Sequence, residues 1–173
     1  LRIGDSAGIV ADLLDGKVEI AFVGFKGADA RLSFEKIWND EMVLAVPKGH
    51  PWTKRKFVDI ADLKNEKFIS REHGSGTLDS IRQLLAKRRK AASELLHITM
   101  ELGSTEAVKE ALMAGFGFSI LSRISIRHEL EEGTIAEVPV RGLTMKRGFY
   151  QVIHLRRPFH PIAQVFREFL KRQ

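Results

Sequence analysis

The residues best placed to do chemistry fall in two short clusters. The segment Arg71-Glu72-His73-Gly74-Ser75-Gly76-Thr77 follows an apolar stretch, Lys67–Ser70, that reads as a strand. It precedes a helical pattern with Leu78, Ile81, Leu84 and Leu85 on one face. Glycines let a backbone approach a ligand closely. The free N–H groups of a helix start, with the positive end of its dipole, suit an anion. The Ser75 and Thr77 hydroxyls can donate as well. Gly103-Ser104-Thr105 repeats the arrangement ahead of a third helix. Two such helix starts facing one cleft would bind a small carboxylate, sulfate or similar ion. The plainer alternative for these hydroxyls is helix capping. Arg71 could clamp a carboxylate bidentately, or pair instead with Glu72 or Glu101.

Catalytic constellations are missing. The chain has 6 histidines and no cysteine, which removes disulfides and thiolate metal sites. His50, His73, His97, His128, His154 and His160 form no His-Glu-x-x-His pair or other metal spacing. Gly74-Ser75-Gly76 lacks the Gly-x-Ser-x-Gly spacing of a nucleophile elbow. It also lacks the third glycine of a dinucleotide fingerprint. The expectation is a protein that is not an enzyme, with no catalytic residue, metal or cofactor. His50, in a His-Pro loop, is expected to be structural.

The elements that must position the clusters alternate between helix and strand. Leu1–Ile3 is an apolar stub, and Asp5 and Ser6 are helix-capping types ahead of Ile9, Val10, Leu13 and Leu14. Gly16 closes that helix, and 18–23 reads as a buried strand. Strand, helix and strand in succession predict a parallel pair with a crossover. Strands over 34–38 and 41–46 follow, with Asn39-Asp40 as turn chemistry between them. After a loop over 47–51 and a helical turn over 58–63 come the 67–70 strand, the second helix and a strand over 96–102. A helix with Val108, Leu112 and Met113 inward ends at Gly115 and Gly117. A buried strand over 118–121, a helix over 124–131 and strands over 135–140 and 148–155 lead to a last helix near Pro161. The pattern is α/β. Its composition, 44% hydrophobic and 29% charged, supports an ordinary core and shows no boundary between domains.

Net charge is +6, but the basic residues fall in two short runs, Lys54-Arg55-Lys56 and Lys87-Arg88-Arg89-Lys90. No aromatic residue sits inside either run, as base stacking would need. The second run is expected to close an amphipathic helix, where cations favour the negative end of the dipole. The charge therefore says little about DNA contact by this segment. No apolar run approaches the ~18 residues of a membrane span, and no signal peptide opens the chain.

Several segments, in order, resemble the effector-binding domain of LysR-type transcription regulators. They are Gly4-Asp5-Ser6 with its helix, then 14–22, where Glu19 stands in place of the usual aspartate. Next come 41–51 with its His50-Pro51, Ile60-Ala61-Asp62-Leu63 and Phe68–Thr77. Ser104–Lys109 with Ala114–Leu121 completes the set, with Ser122 in place of the customary proline. The resemblance covers nearly the whole chain.

It implies two Rossmann-like lobes around a cleft, like type 2 periplasmic binding proteins, joined by two crossover strands. The first lobe would be 1–64 plus 146–173 and the second 65–145. The implied ligand residues are Arg71, Glu72, Gly74, Ser75, Gly76, Thr77, Ser104, Thr105 and Phe118, with Phe118 on the cleft wall or in the core. The implied ligand is a small, preferably anionic, effector. The resemblance further implies a cytoplasmic regulator, dimeric or tetrameric at full length, that binds DNA through an N-terminal head preceding Leu1. The first strand and helix of the effector domain would also precede Leu1, and the gap they leave is expected to be filled by a retained piece or another chain. The rival is a periplasmic solute-binding protein of the same fold; an upstream helix-turn-helix or an upstream signal peptide would decide between them.

Overall fold

A computed structural model describes residues 1–86 and 96–170. The first helix, α1 (Ser6–Asp15), starts at Asp5, whose carboxylate accepts the Gly8 N–H at 2.9 Å. It stops at Gly16, where φ of 78° suits a residue without Cβ. The Arg157 guanidinium donates to the Leu13 and Leu14 carbonyls at the same end, a cation at the negative pole of the helix. Strand β1 (Ile20–Val23) follows. Leu1–Ile3 forms no strand, so the expected parallel pair is absent. β1 instead runs antiparallel to the late strand β7 (Lys146–His154). Its other edge has no partner strand among the described residues. A groove of about 700 Å³ lies there, between residues 1–4, β1 and the last helix.

Strand β2 (Leu32–Pro47) runs 16 residues without a break. The turn expected at Asn39-Asp40 does not form. Both residues stay in the ladder, opposite Gly148 and Arg147 of β7, because tertiary partners hold Asp40 extended. The only irregularity is a register shift between Lys36 and Trp38. β2 changes partners along its length. Leu32 to Glu41 pairs with β7 (Lys146–His154), and Met42 to Pro47 pairs with β5 (Ser119–Ser122) and β6 (Ile135–Val138). Between them lie the short helix α2 (Ile60–Leu63), β3 (Lys67–Arg71), α3 (Gly76–Ala86), β4 (His97–Leu102) and α4 (Thr105–Met113). β3 and β4 are parallel, and Ile69 N–H donates to the Phe118 carbonyl at 2.8 Å, tying β3 to the start of β5. The helix expected over 124–131 is a 3-10 turn, Ile124–Ile126, followed by α5 (Arg127–Glu132); α6 (Pro161–Leu170) closes the described chain. The run Lys87–Lys90 lies outside the described residues.

The cores follow the change of partner in β2. Leu13, Ala21, Val23, Leu32 and Val152 form one cluster. Met42, Leu44, Trp52, Val58 and Leu63 pack with Phe68, Ile81 and Phe118 in another. A third covers the opposite face, around Val43, Ile69 and Leu112. Residues 42–63 thus share a core with the segment expected to be the second lobe. Buried apolar contact ties them to Phe68 and Ile81.

His50 is structural, as expected. Its Nδ1 accepts the Trp52 N–H at 3.2 Å and its ring sits edge-on to Trp52. Burial pushes the imidazole below its ordinary value, against the opposing pull of Glu66 at 3.5 Å. Below an unfolded-state value of ~6.5, the unfolded chain therefore takes up a proton more readily than the folded one. The stability His50 contributes is present above that pH and is lost as pH falls through its depressed folded value. His50→Asn, which can still accept from Trp52, should flatten this acid limb in urea unfolding between about pH 7 and 5; an unchanged slope would assign the limb to other groups.

Candidate functional site

Three helix starts converge on one cavity of about 350 Å³. Gly4-Asp5-Ser6 leads into α1, Ser75-Gly76-Thr77 into α3 and Thr105 into α4, and all three line it. Its floor is the end of β5 at Leu121 and Ser122, with Arg147 and Phe149 from β7 on the other side. Strand ends and helix starts meet here because β2 hands its pairing from β7 to β5 beneath the cavity.

The expected residues divide. Arg71, Ser75, Gly76, Thr77 and Thr105 line the cavity. Arg71 is not free: Nε and Nη2 donate to the two Glu72 carboxylate oxygens at 2.7 and 2.6 Å, and Nη1 donates to Thr105 Oγ1 at 2.9 Å. Of the alternatives open for Arg71, Glu72 takes it rather than Glu101. Those bonds hold the Glu72 carboxyl below the usual carboxylate range. Glu72 itself does not line the cavity and meets it only through its bonds with Arg71. Ser104 caps α4, accepting the Ala107 N–H at 3.1 Å, and lies off the lining. Of the two places open to Phe118, the structure shows the core. Phe118 is fully buried, with its ring centroid 5.1 Å from that of Phe68 and 5.2 Å from that of Trp52, so it builds the core and not the wall.

Gly74 and Gly76 serve the approach of α1 more directly than any ligand. The Gly74 carbonyl accepts the Ala7 N–H at 3.2 Å. Gly74 has φ of 92°, and a Cβ there would stand 2.8 Å from Asp5 Oδ1. A Cβ on Gly76 would stand 2.6 Å from Ser6 Oγ and 3.3 Å from the Gly24 backbone. Alanine is otherwise welcome in a helix. Gly76→Ala should therefore wedge the starts of α1 and α3 apart, raising amide exchange at Ala7 roughly 2- to 10-fold, the worth of one hydrogen bond. Adding Ser6→Gly should restore slow exchange; failure of that rescue would refute the steric account.

Sequence reading missed the charged group beneath the cavity. Arg147 Nε donates to Asp40 Oδ2 at 2.7 Å, and Nη1 to Thr77 Oγ1 at 3.2 Å. Ser122 Oγ donates to Asp40 Oδ1 at 2.8 Å. The Asp40 side chain is 0% exposed and that of Arg147 9%. The pair stands 107 positions apart in sequence, and only the β2–β7 register makes them neighbours. The one signal was Ser122, already noted as standing in place of proline. Both arginines of the cavity thus carry carboxylate partners. The donors left for a ligand are the helix-start N–H groups that Asp5, Gly74, Ser75 and Ser104 do not already cap, the hydroxyls and the outward guanidinium edges.

The LysR substrate binding domain family model matches residues 1–173. The chain belongs to this family. As a LysR substrate-binding domain it is 28% identical over 170 residues to the HTH-type transcriptional activator CmpR of a Synechocystis strain, covering 98% of this chain and 55% of CmpR. It is 32% identical over 163 residues to an uncharacterised HTH-type transcriptional regulator of Methanocaldococcus jannaschii, covering 94% of this chain and 54% of that protein. The chain thus spans about half the length of these relatives. The Synechocystis CcmR regulatory domain, solved with 2-PG, superposes with a TM-score of 0.83 at 23% identity, over 96% of this chain and 78% of that one. The effector-binding domain of QuiR, solved with shikimate, gives 0.84 at 21% identity, over 98% of this chain and 78% of that one. The LysR domain here therefore has the two-lobe fold resembling periplasmic binding proteins.

Proposed function

We propose that this chain is the effector-sensing part of a LysR-type transcription regulator, holding a small anionic molecule in the cavity between α1, α3 and α4. The observation that carries the reading is the convergence of three helix starts, with Ser75, Thr77 and Thr105, on one 350 Å³ space. Helix starts concentrate N–H donors and positive potential. The ligands of the CcmR and QuiR structures support a small-molecule effector. DNA binding belongs to a separate head of the full polypeptide, the full protein is a homodimer or tetramer, and the chain performs no catalysis. No described helix is long and apolar enough to cross a membrane.

The lobes divide where β2 changes partner, between Glu41 and Met42, and again just before Lys146. The first lobe is 1–41 with 146–170, the second 42–145. Effector binding acts by favouring one angle between them; a ligand that prefers neither arrangement shifts nothing. The test is a thermal-shift titration with small carboxylates, sulfate and phosphate. A saturable rise in Tm is expected, worth ~2.7 kcal/mol at one hundred times Kd. Thr105→Val, which removes the acceptor of Arg71 Nη1 and a lining hydroxyl, should weaken binding roughly 10-fold, within the 1–3 kcal/mol a buried unpaired group costs. No response to any such anion would leave a pure association module as the better reading.

A further inference from the structure

A second cavity adjoins the effector cleft, sharing Gly24 and Arg147 with it, and opens on the other face of the β2–β7 ribbon. It measures about 330 Å³, within the usual range for small-molecule sites. Its charged lining residues are Lys26, Lys36, Lys146 and Arg147, and no carboxylate is among the residues that line it. Arg147 is engaged by Asp40. Lys26, Lys36 and Lys146 make no ion pair among the described residues.

The register explains the cluster. Lys36 stands opposite Tyr150, Asn39 opposite Gly148 and Glu41 opposite Lys146. Paired residues of an antiparallel ladder share a face, so Lys36 and Lys146 project to the same side as Asn39 and Tyr150. Glu41, the cross-strand neighbour of Lys146, turns its carboxylate to Arg123, 3.3 Å away. Gly148 has no side chain, and a Cβ there would lie 2.9 Å from the Tyr150 ring and 3.0 Å from Lys36 Cε. Its absence lets the lysine stem lie beside the ring. The opposite wall is α3, which contributes Ser80 and Gln83. The Ser80 hydroxyl lies 2.7 Å from the Gly76 carbonyl of its own helix and 3.1 Å from the Gly24 carbonyl, so α3 touches the chain just after β1 at one edge of the cavity.

We propose that this cavity is a second binding site, for a small molecule carrying a phosphate or diphosphate group. Three exposed ammonium groups without ion partners line one concave space, so an anion entering it meets net positive charge that only solvent now balances. Lysine serves phosphate as a mobile point charge. Asn39, Gln83 and the Tyr150 hydroxyl supply neutral polar groups for the remainder of the ligand. The three lysines and Tyr150 sit on one side of the change of partner in β2, and α3 sits on the other. A ligand bridging the two sides stabilises the present angle between them. It therefore changes affinity in the effector cleft, and by linkage the cleft ligand changes affinity here by the same factor.

The probe is inorganic pyrophosphate without added metal, followed by calorimetry and by backbone amide shifts. Saturable one-site binding is expected, with shifts centred on Lys36, Gln83 and Lys146. Lys36→Ala and Lys146→Ala should each weaken it about fivefold, the upper worth of one exposed charge contact. Thr105→Val, in the effector cleft, should leave it unchanged. Binding lost in Thr105→Val but kept in both lysine variants would overturn the proposal and assign the anion to the cleft. Non-saturating binding that sodium chloride reproduces would reduce the cavity to a diffuse positive patch, and absence of any binding would also overturn it. The two readings separate in the thermal-shift titration: a phosphate-induced rise in Tm that survives Thr105→Val but not Lys36→Ala belongs to this cavity, and the reverse pattern belongs to the effector cleft.

Discussion

Arg147→Ala lowers the unfolding free energy by about 3–5 kcal/mol, the cost of breaking a buried ion pair by removing one partner. The Asp40 carboxylate has no solvent contact, and its oxygens are held by Arg147 and Ser122. Without the guanidinium, Asp40 keeps one hydroxyl donor for a buried negative charge. Thr77 also loses its donor, so the start of α3 loosens beside the effector cavity. The measurement is urea unfolding at neutral pH, with Cm and slope m read together. The double variant Arg147→Met with Asp40→Leu should recover most of the loss, because a buried pair is commonly replaceable by apolar groups of similar volume. A single variant within 1 kcal/mol of the parent would show that water reaches Asp40, and the pair would then be ordinary surface chemistry.

Phe118→Ala is expected to cost a similar amount, about 3–5 kcal/mol, as deletion of a buried aromatic ring does elsewhere. Phe118 is fully buried between Phe68 and Trp52, and its backbone joins β3 through the Ile69 and Lys67 bonds. The ring is core, so anion affinity in the cleft should change far less than stability, provided binding is measured well below the lowered Tm. A variant that binds its anion 10-fold more weakly yet unfolds like the parent would return Phe118 to the cavity wall. Phe118→Leu should cost less than half as much, since most of the volume is kept.

The parts of the site legible in the sequence were local. Asp5, Ser6, Ser75, Ser104 and the glycines that follow strands announce helix starts through capping and backbone freedom, and α1, α3 and α4 begin there. Arg71 was recognisable as a cation at a strand end, although not which carboxylate it takes. Glu72 wins because it is the next residue and can meet the guanidinium with both oxygens. Phe118 stayed open between wall and core because its place at the entry to β5, after two glycines, suits either. Asn39-Asp40 misled because turn propensity is a weak local preference. A buried ion pair and two flanking ladders outweigh it.

By itself the sequence determined most of the alternation of helices and strands, the family, and the helix starts that carry the candidate donors. Each of these rests on residues within a few positions of one another, where propensity and spacing act. The tertiary structure alone decided the long β2 that changes partners, the packing of 42–63 with the core around Phe68, and the meeting of Arg147 with Asp40, Thr77 and Ser122. It alone brought Lys26, Lys36 and Lys146 to one cavity. Those relations join residues tens of positions apart, and strand register and burial bring them together where local preference has no reach.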